Sequence, residues 1–139
     1  MPLTEEAMAA LVREAFLARQ NAYAPYSHYR VGAALLCADG AVFRGANVEN
    51  ASSPAGICAE RAAFSAAVSA GKRDFDAIAI VGGSEGEGSG KEAPAMPCGI
   101  CRQVMSEFCG DDFRVIVAVS PSDYQVYSLS ELLPFSFQR

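Results

Sequence analysis

Two short segments carry side chains able to do chemistry: Cys58-Ala59-Glu60 and Pro97-Cys98-Gly99-Ile100-Cys101. Thiolates are good zinc ligands, and a catalytic zinc site uses three protein ligands while keeping a fourth position open for water. One cysteine plus a Cys-x-x-Cys pair supplies that number. Each segment falls where a helix is expected to begin, and the partial positive charge of a helix N-terminus lowers a thiol's pKa toward the metal-binding thiolate. Three thiolates on a divalent ion leave a net charge of about −1 before water is counted, which works against ionising a bound water. Arg61, one helical turn after Cys58, can donate to a thiolate and offset that charge. Its plainer reading is a surface arginine in an ordinary ion pair. Glu60 is not needed as a ligand, and a carboxylate beside an activated water can take its proton and pass it on. The competing reading is a four-cysteine structural zinc site with Cys37 or Cys109 as the fourth ligand. Cys109, more than two helical turns beyond Cys101, reaches the same ion poorly.

The rest of the composition narrows what these groups can act on. The chain has 139 residues, 51% hydrophobic and 19% charged, which fits a single globular domain over 1–139. No apolar run is long enough to span a membrane, and the start, Met-Pro-Leu-Thr-Glu-Glu, lacks the basic and apolar parts of a signal peptide. A cytoplasmic location is expected. Asn50-Ala51-Ser52 matches a glycosylation acceptor only formally. The net charge of −5 and the lack of a basic, aromatic cluster argue against nucleic acid and for a small neutral substrate. Five cysteines, an odd number, in a reducing compartment make a disulfide framework a poor reading.

Several elements must position the two segments. A helix is expected over residues 4–22, with Thr4 as N-cap, Glu5 and Glu6 at the positive end and Leu11, Val12, Ala15 and Phe16 on one stripe. Val31–Cys37 and Ala41–Asn47 read as a hairpin around Asp39-Gly40. Residues 50–56 read as a loop. Cys58–Ala70 reads as a helix closed by Gly71, and Ala77–Val81 as a third strand. Gly82–Pro97 reads as a long glycine-rich loop. Ile100–Cys109 is a helix stopped by Gly110; Val115–Ser120 and Tyr124–Tyr127 are strands. Ser128-Leu129-Ser130-Glu131 has capping-box form and opens a short last helix. This order implies an α/β fold, a mixed sheet with helices on its faces.

With these pieces in place the chain resembles a known family. Tyr23-Ala24-Pro25-Tyr26-Ser27-His28-Tyr29-Arg30-Val31-Gly32-Ala33-Ala34, then Asn47-Val48-Glu49-Asn50-Ala51, Cys58-Ala59-Glu60-Arg61, Pro97-Cys98-Gly99-Ile100-Cys101-Arg102-Gln103 and Glu131-Leu132-Leu133-Pro134 resemble the small homotetrameric cytidine deaminases. The likeness runs in order from about residue 20 to the C-terminus. It implies a three-layer α/β/α sandwich on a five-stranded mixed sheet, and one zinc per chain held by Cys58, Cys98 and Cys101. It implies hydrolysis of cytidine and 2′-deoxycytidine to the uridines with release of ammonia, zinc hydroxide attacking C4 while Glu60 moves protons, as in zinc nucleobase deaminases. The backbone at Ala59 and Cys98 would contact the base, beside Tyr29. Asn47 and Glu49 would hold the ribose 3′-hydroxyl. Taken alone, these two read as a turn asparagine and a solvated carboxylate. Ala51 and Phe137 would reach a neighbouring subunit's ligand, Phe137 as an aromatic lid; alone, Phe137 reads as a residue tying down the tail. Two positions depart from the family pattern: Tyr29 stands where phenylalanine is usual, and Ser53 where an aromatic is common.

Other matches carry less. Gly82-Gly83-Ser84-Glu85-Gly86 has the spacing of a nucleophile elbow but does not lead directly into a helix. Gly90-Lys91-Glu92 lacks the pattern of a phosphate loop. His28 is the only histidine, which excludes a poly-histidine zinc site. Cys37 and Cys109 read as small buried hydrophobes. The rival substrate is another cytosine compound such as blasticidin S, against which Glu49 argues by offering an acceptor to a sugar hydroxyl. A non-catalytic zinc-stabilised protein is the rival of a different class, against which Glu60 argues.

Overall fold

The computed structural model describes residues 3–84 and 94–139. Helix α1 (Glu5–Arg19) starts where expected: the Ala7 amide donates to Thr4 Oγ1 at 3.0 Å, and Glu5 and Glu6 fill the first turn. Strands β1 (Tyr29–Cys37) and β2 (Val42–Ala46) pair antiparallel around Gly40, whose φ of +94° suits a residue without Cβ. A single 3-10 turn, Ser53–Ala55, interrupts the segment leading to α2 (Ala59–Ser69). Strand β3 (Phe75–Ser84), α3 (Gly99–Phe108), β4 (Arg114–Ser120) and β5 (Asp123–Ser128) follow, and α4 (Leu129–Leu132) closes the fold. The capping box at Ser128 forms in full, with Glu131 reaching back to the Ser128 amide at 2.8 Å.

The strands make one mixed sheet in the order β2-β1-β3-β4-β5, parallel only between β3 and β4. That parallel pair requires a crossover, and α3 lies within it. Alternation along the strands sorts the core into two layers. Ala34, Ala77, Ala79, Val81 and Ile116 pack with Leu11, Val12 and Ala15 of α1. Leu35, Ile78, Ile80, Val115 and Val117 pack with Ala63 and Phe64 of α2 and Met105 of α3. The result is a three-layer α/β/α sandwich. Phe64 joins the outer layer by edge contact with Phe75 (5.2 Å between centroids) and by stacking on Phe108 (6.0 Å).

Two glycines set how closely the helices approach. A Cβ at Gly32 would collide with the Ala15 carbonyl and the Arg19 backbone of α1. A Cβ at Gly45 would collide with the Ala59 carbonyl and the Ala63 amide, so the first turn of α2 rests directly on the β2 backbone.

One expectation needs correction. Residues 82–84 belong to β3 rather than to a loop: Gly82, Gly83 and Ser84 pair with Val31, Arg30 and Tyr29. Glycine's poor strand preference is overridden by pairing, and here it is useful, because Tyr29 packs where a Cβ of Gly82 would be. The rest of the expected loop that falls at 85–93 lies outside the described residues, as do the last two residues of the elbow-like motif and the whole of Gly90-Lys91-Glu92. Strand β1 likewise starts two residues before its expected first residue, at Tyr29, and α1 ends three before its expected end, at Arg19.

Candidate metal centre and nucleoside pocket

Cys58 is the N-cap of α2 and Cys98 the N-cap of α3. Both have extended backbone and neither side chain is used to cap its helix, so both thiols are left to turn elsewhere. Cys101 lies in the first turn of α3 and is buried. The three sulfurs gather: Cys58 Sγ is 3.9 Å from Cys98 Sγ, which is 3.5 Å from Cys101 Sγ, and all three lie within 4.8 Å of one another. Tetrahedral coordination at a zinc–sulfur distance of about 2.3 Å places ligands about 3.8 Å apart, so the triangle fits the ion. None of the three is in a disulfide. Among the described residues no fourth cysteine joins the group. Cys37 is buried in the sheet, and burial pushes the Cys109 thiol up to about 12, so the four-cysteine reading finds no support.

The electrostatics suit an anionic ligand set. A hydrogen bond from the Cys101 thiol, helped by Arg61 and Cys98, holds Cys58 well below the ordinary thiol value, at about 5. The same sharing with Cys58, with burial and the charge of Glu60, pushes Cys101 far up. Arg61 Nη2 donates to Cys58 Sγ at 3.7 Å, the contact expected of a charge-balancing group rather than of a surface ion pair. Its Nε is buried without a partner among the described residues.

Glu60 is 5% exposed, the one buried charged side chain among the described residues. Burial pushes its carboxyl up, and the neighbouring Cys58 charge adds to this. A carboxyl with a raised pKa holds a proton more readily than a free one, which suits a group that must both take and give a proton.

These groups form one wall of a cavity of about 780 Å³, within the range of small-molecule sites. Tyr29, Asn47, Glu49, Ala51, Cys58, Ala59, Glu60, Arg61 and Cys98 all line it, joined by Tyr26, Val48, Ile57 and Met96, which the sequence reading did not single out. Ser53 also borders it. The cavity is bordered by Tyr29 and Val31 at the start of β1, by Ile80 of β3 and by the segment that follows β2. Phe137 does not line it. It is 72% exposed on a tail tied to α3 by Gln138, whose side-chain amide donates to Ser106 Oγ at 3.2 Å.

The expected sugar-binding pair is already engaged with the backbone. Asn47 Oδ1 accepts from the Val31 amide at 2.9 Å and its Nδ2 donates to the Tyr29 carbonyl at 2.9 Å. An amide oxygen can take two hydrogen bonds, so one acceptor position remains. Glu49 Oε1 accepts from the amides of Tyr26 (3.0 Å) and Ser27 (3.1 Å), and Oε2 from the Ser27 hydroxyl. The Ser27 hydroxyl above all holds the Glu49 carboxyl below its ordinary value of 4.5. Ser27 stood in the sequence only as part of a quoted motif, with no role of its own. The signal that could have revealed it is a serine two residues before Tyr29 in a proline-marked turn, the pattern of a side chain that accepts from the amide two residues on.

A sandwich of this topology with a three-cysteine site and a buried glutamate defines a zinc-dependent hydrolytic class. Residues 5–118 match the family model described as cytidine and deoxycytidylate deaminase zinc-binding region, and the chain belongs to that family. It is 49% identical over 127 residues to a cytidine deaminase of Halalkalibacterium halodurans, covering 91% of each chain. The crystal structure of cytidine deaminase from Burkholderia pseudomallei matches with a TM-score of 0.83 at 45% identity, over 97% of this chain and 100% of that one. A blasticidin-S deaminase of Bacillus cereus is more distant, 29% identical over 80% of this chain and 79% of its own. The family is a zinc-binding one, and the Cys58, Cys98 and Cys101 cluster is able to hold one such ion.

Proposed function

We propose that this chain, acting as one domain over 1–139, hydrolyses cytidine and 2′-deoxycytidine to uridine and 2′-deoxyuridine with release of ammonia. The observation that carries the reading is the buried Glu60 carboxyl beside the three-sulfur triangle, on the wall of a cavity large enough for a nucleoside. Zinc, when bound, supplies the Lewis acidity that makes an attacking water nucleophilic near neutral pH.

The chain's residues supply the rest. Cys58, Cys98 and Cys101 hold the ion, and Arg61 offsets their charge through its contact with Cys58. Glu60 takes a proton from the water that attacks C4 and delivers it to N3. It then takes the second water proton and gives it to the departing amino group. The water oxygen stays as the C4 carbonyl of uridine and the amino nitrogen leaves as ammonia. The backbone at Ala59 and Cys98 orients the base, with Tyr29 against it. Asn47 and Glu49 recognise the ribose 3′-hydroxyl, and a site built to bond a hydroxyl rejects analogues lacking it. Ala51, exposed at the rim, and Phe137 complete the site of a neighbouring copy in a homotetramer. The exposure of Phe137 and its absence from its own chain's cavity favour that role over simple tying of the tail. The protein works in the cytoplasm on a small nucleoside, not on nucleic acid. No helix among the described residues is long and apolar enough to cross a membrane.

Zinc-loaded protein mixed with cytidine should give an ultraviolet absorbance decrease and equimolar ammonia. Cytosine and blasticidin S belong in the same panel. Turnover of blasticidin S with none of cytidine or deoxycytidine would overturn the nucleoside reading.

A further inference from the structure

Tyr29, Asn47 and Glu49 are joined by one small side chain that none of the chemistry above uses. Ser27 Oγ donates to Glu49 Oε2 and accepts from the Tyr29 amide at 3.0 Å. Tyr29 is held on its other side, where its carbonyl accepts from Asn47 Nδ2 at 2.9 Å. Asn47 and Glu49 are in turn fixed to Tyr23: the Tyr23 amide donates to the Asn47 carbonyl at 2.9 Å and the Glu49 amide to the Tyr23 carbonyl at 2.8 Å. A closed circuit thus runs Glu49, Ser27, Tyr29, Asn47, Tyr23 and back to Glu49. His28, at φ 59°, turns the chain between Ser27 and Tyr29. That left-handed conformation is uncommon for a residue other than glycine, though histidine adopts it more readily than most, and the circuit surrounds it.

We infer that Ser27 is a positioning residue for nucleoside recognition, its hydroxyl setting the orientation of Glu49 and the start of β1 together. The inference rests on the nucleoside reading above. The geometry requires a group that donates and accepts at once, which a hydroxyl does and a methyl or an ammonium does not. Without it Glu49 keeps two backbone donors on Oε1 but loses the Ser27 hydroxyl bond to Oε2. The carboxylate is then less firmly held, and a substrate must order it further on binding, which weakens affinity rather than chemistry.

The test compares Ser27→Ala and Ser27→Thr in zinc-loaded protein. Ser27 is exposed, so neither change disturbs the core. For Ser27→Ala, KM for cytidine should rise roughly three- to tenfold, the worth of one lost hydrogen bond to a charged group weakened by solvent. Its kcat should stay within about twofold, since Glu60 and the cysteines are untouched. Hydrogen exchange over residues 26–31 should accelerate in Ser27→Ala, and Ser27→Thr should restore both KM and protection. Unchanged KM in Ser27→Ala, a loss carried by kcat, or a Ser27→Thr as defective as Ser27→Ala would each overturn the inference. Absence of cytidine turnover by the wild type would instead overturn the nucleoside reading. Exchange is measured without substrate: protection in Ser27→Ala equal to wild type would overturn the circuit whatever the substrate is.

Discussion

The cavity has two ends that are built differently. At the metal end, the three cysteines are helix N-caps and a first-turn residue, and α2 lies on β2 at backbone contact through Gly45. At the nucleoside end, Tyr29, Asn47 and Glu49 are held by side chains that bond to backbone across a turn and a strand edge. The first arrangement is supported by packing, which yields little without a collision or a void. The second is supported by hydrogen bonds in an exposed turn, each of modest net worth because water competes for it. The chemistry therefore sits on rigid elements and the recognition on an adjustable one. Within a family, the metal set can stay constant while the turn is varied to admit a different sugar or substituent.

That contrast can be broken by experiment. The largest expected effect is at the metal end: Cys98→Ala should abolish zinc binding, bring turnover to background and lower Tm, all read together by metal analysis, ammonia release and thermal melting. Retention of a full zinc complement would show that the three-sulfur triangle is not the site. Next, Glu60→Gln should keep zinc and KM while kcat falls by roughly 10²- to 10⁴-fold, the usual worth of a positioned acid–base group. Asn47→Ala should act in the opposite sense, raising KM by roughly tenfold or more with a smaller change in kcat, and lowering Tm because the part-buried Val31 amide loses its acceptor. If kcat in that variant fell as far as in Glu60→Gln, the separation of the two ends would fail.

The smallest effect is in the pH profile. Bonds to the carboxylate favour its charged form, so the Glu49 pKa lies below 4.5 and Glu49 stays ionised as pH falls through that value. KM for cytidine should therefore stay flat on acidification from neutral pH and rise only below the ordinary carboxylate range. In Ser27→Ala, which lacks the largest of those bonds, the rise should begin at higher pH. Identical KM profiles for the two proteins would show that the hydroxyl does not govern the Glu49 charge.

The metal end was legible in the sequence because ligand spacing and helix starts are local properties. Cys58 and Cys98 are the N-caps of their helices, each of which starts one residue from where the patterns put it. The hairpin around Gly40 and the capping box at Ser128 are local too, and both form as expected. The extension of β3 through Gly82 and Gly83 was not legible, since what makes these residues a strand is pairing with β1 some 50 positions away in the chain. The hydrogen-bond circuit through Ser27 was equally hidden. It joins residues 23, 27, 29, 47 and 49, and nothing in the local pattern around Glu49 says that its carboxylate faces the turn before β1. The position of Phe137 away from its own cavity follows from where the tail docks on α3, which depends on tertiary contacts such as Gln138 with Ser106.

The close seat of α2 on Gly45 has a consequence for how this sequence can drift. Gly45 lies outside the cavity and binds nothing, and by function alone it should accept many residues. Yet any side chain there must lift the helix that starts at Cys58, and with it one corner of the sulfur triangle. In a library carrying every substitution at each site, position 45 should be as intolerant as the cysteines themselves, though solvent-facing Val42 and Arg44 beside it vary freely. Part of the chemistry is thus protected by a position that an inventory of functional groups would pass over.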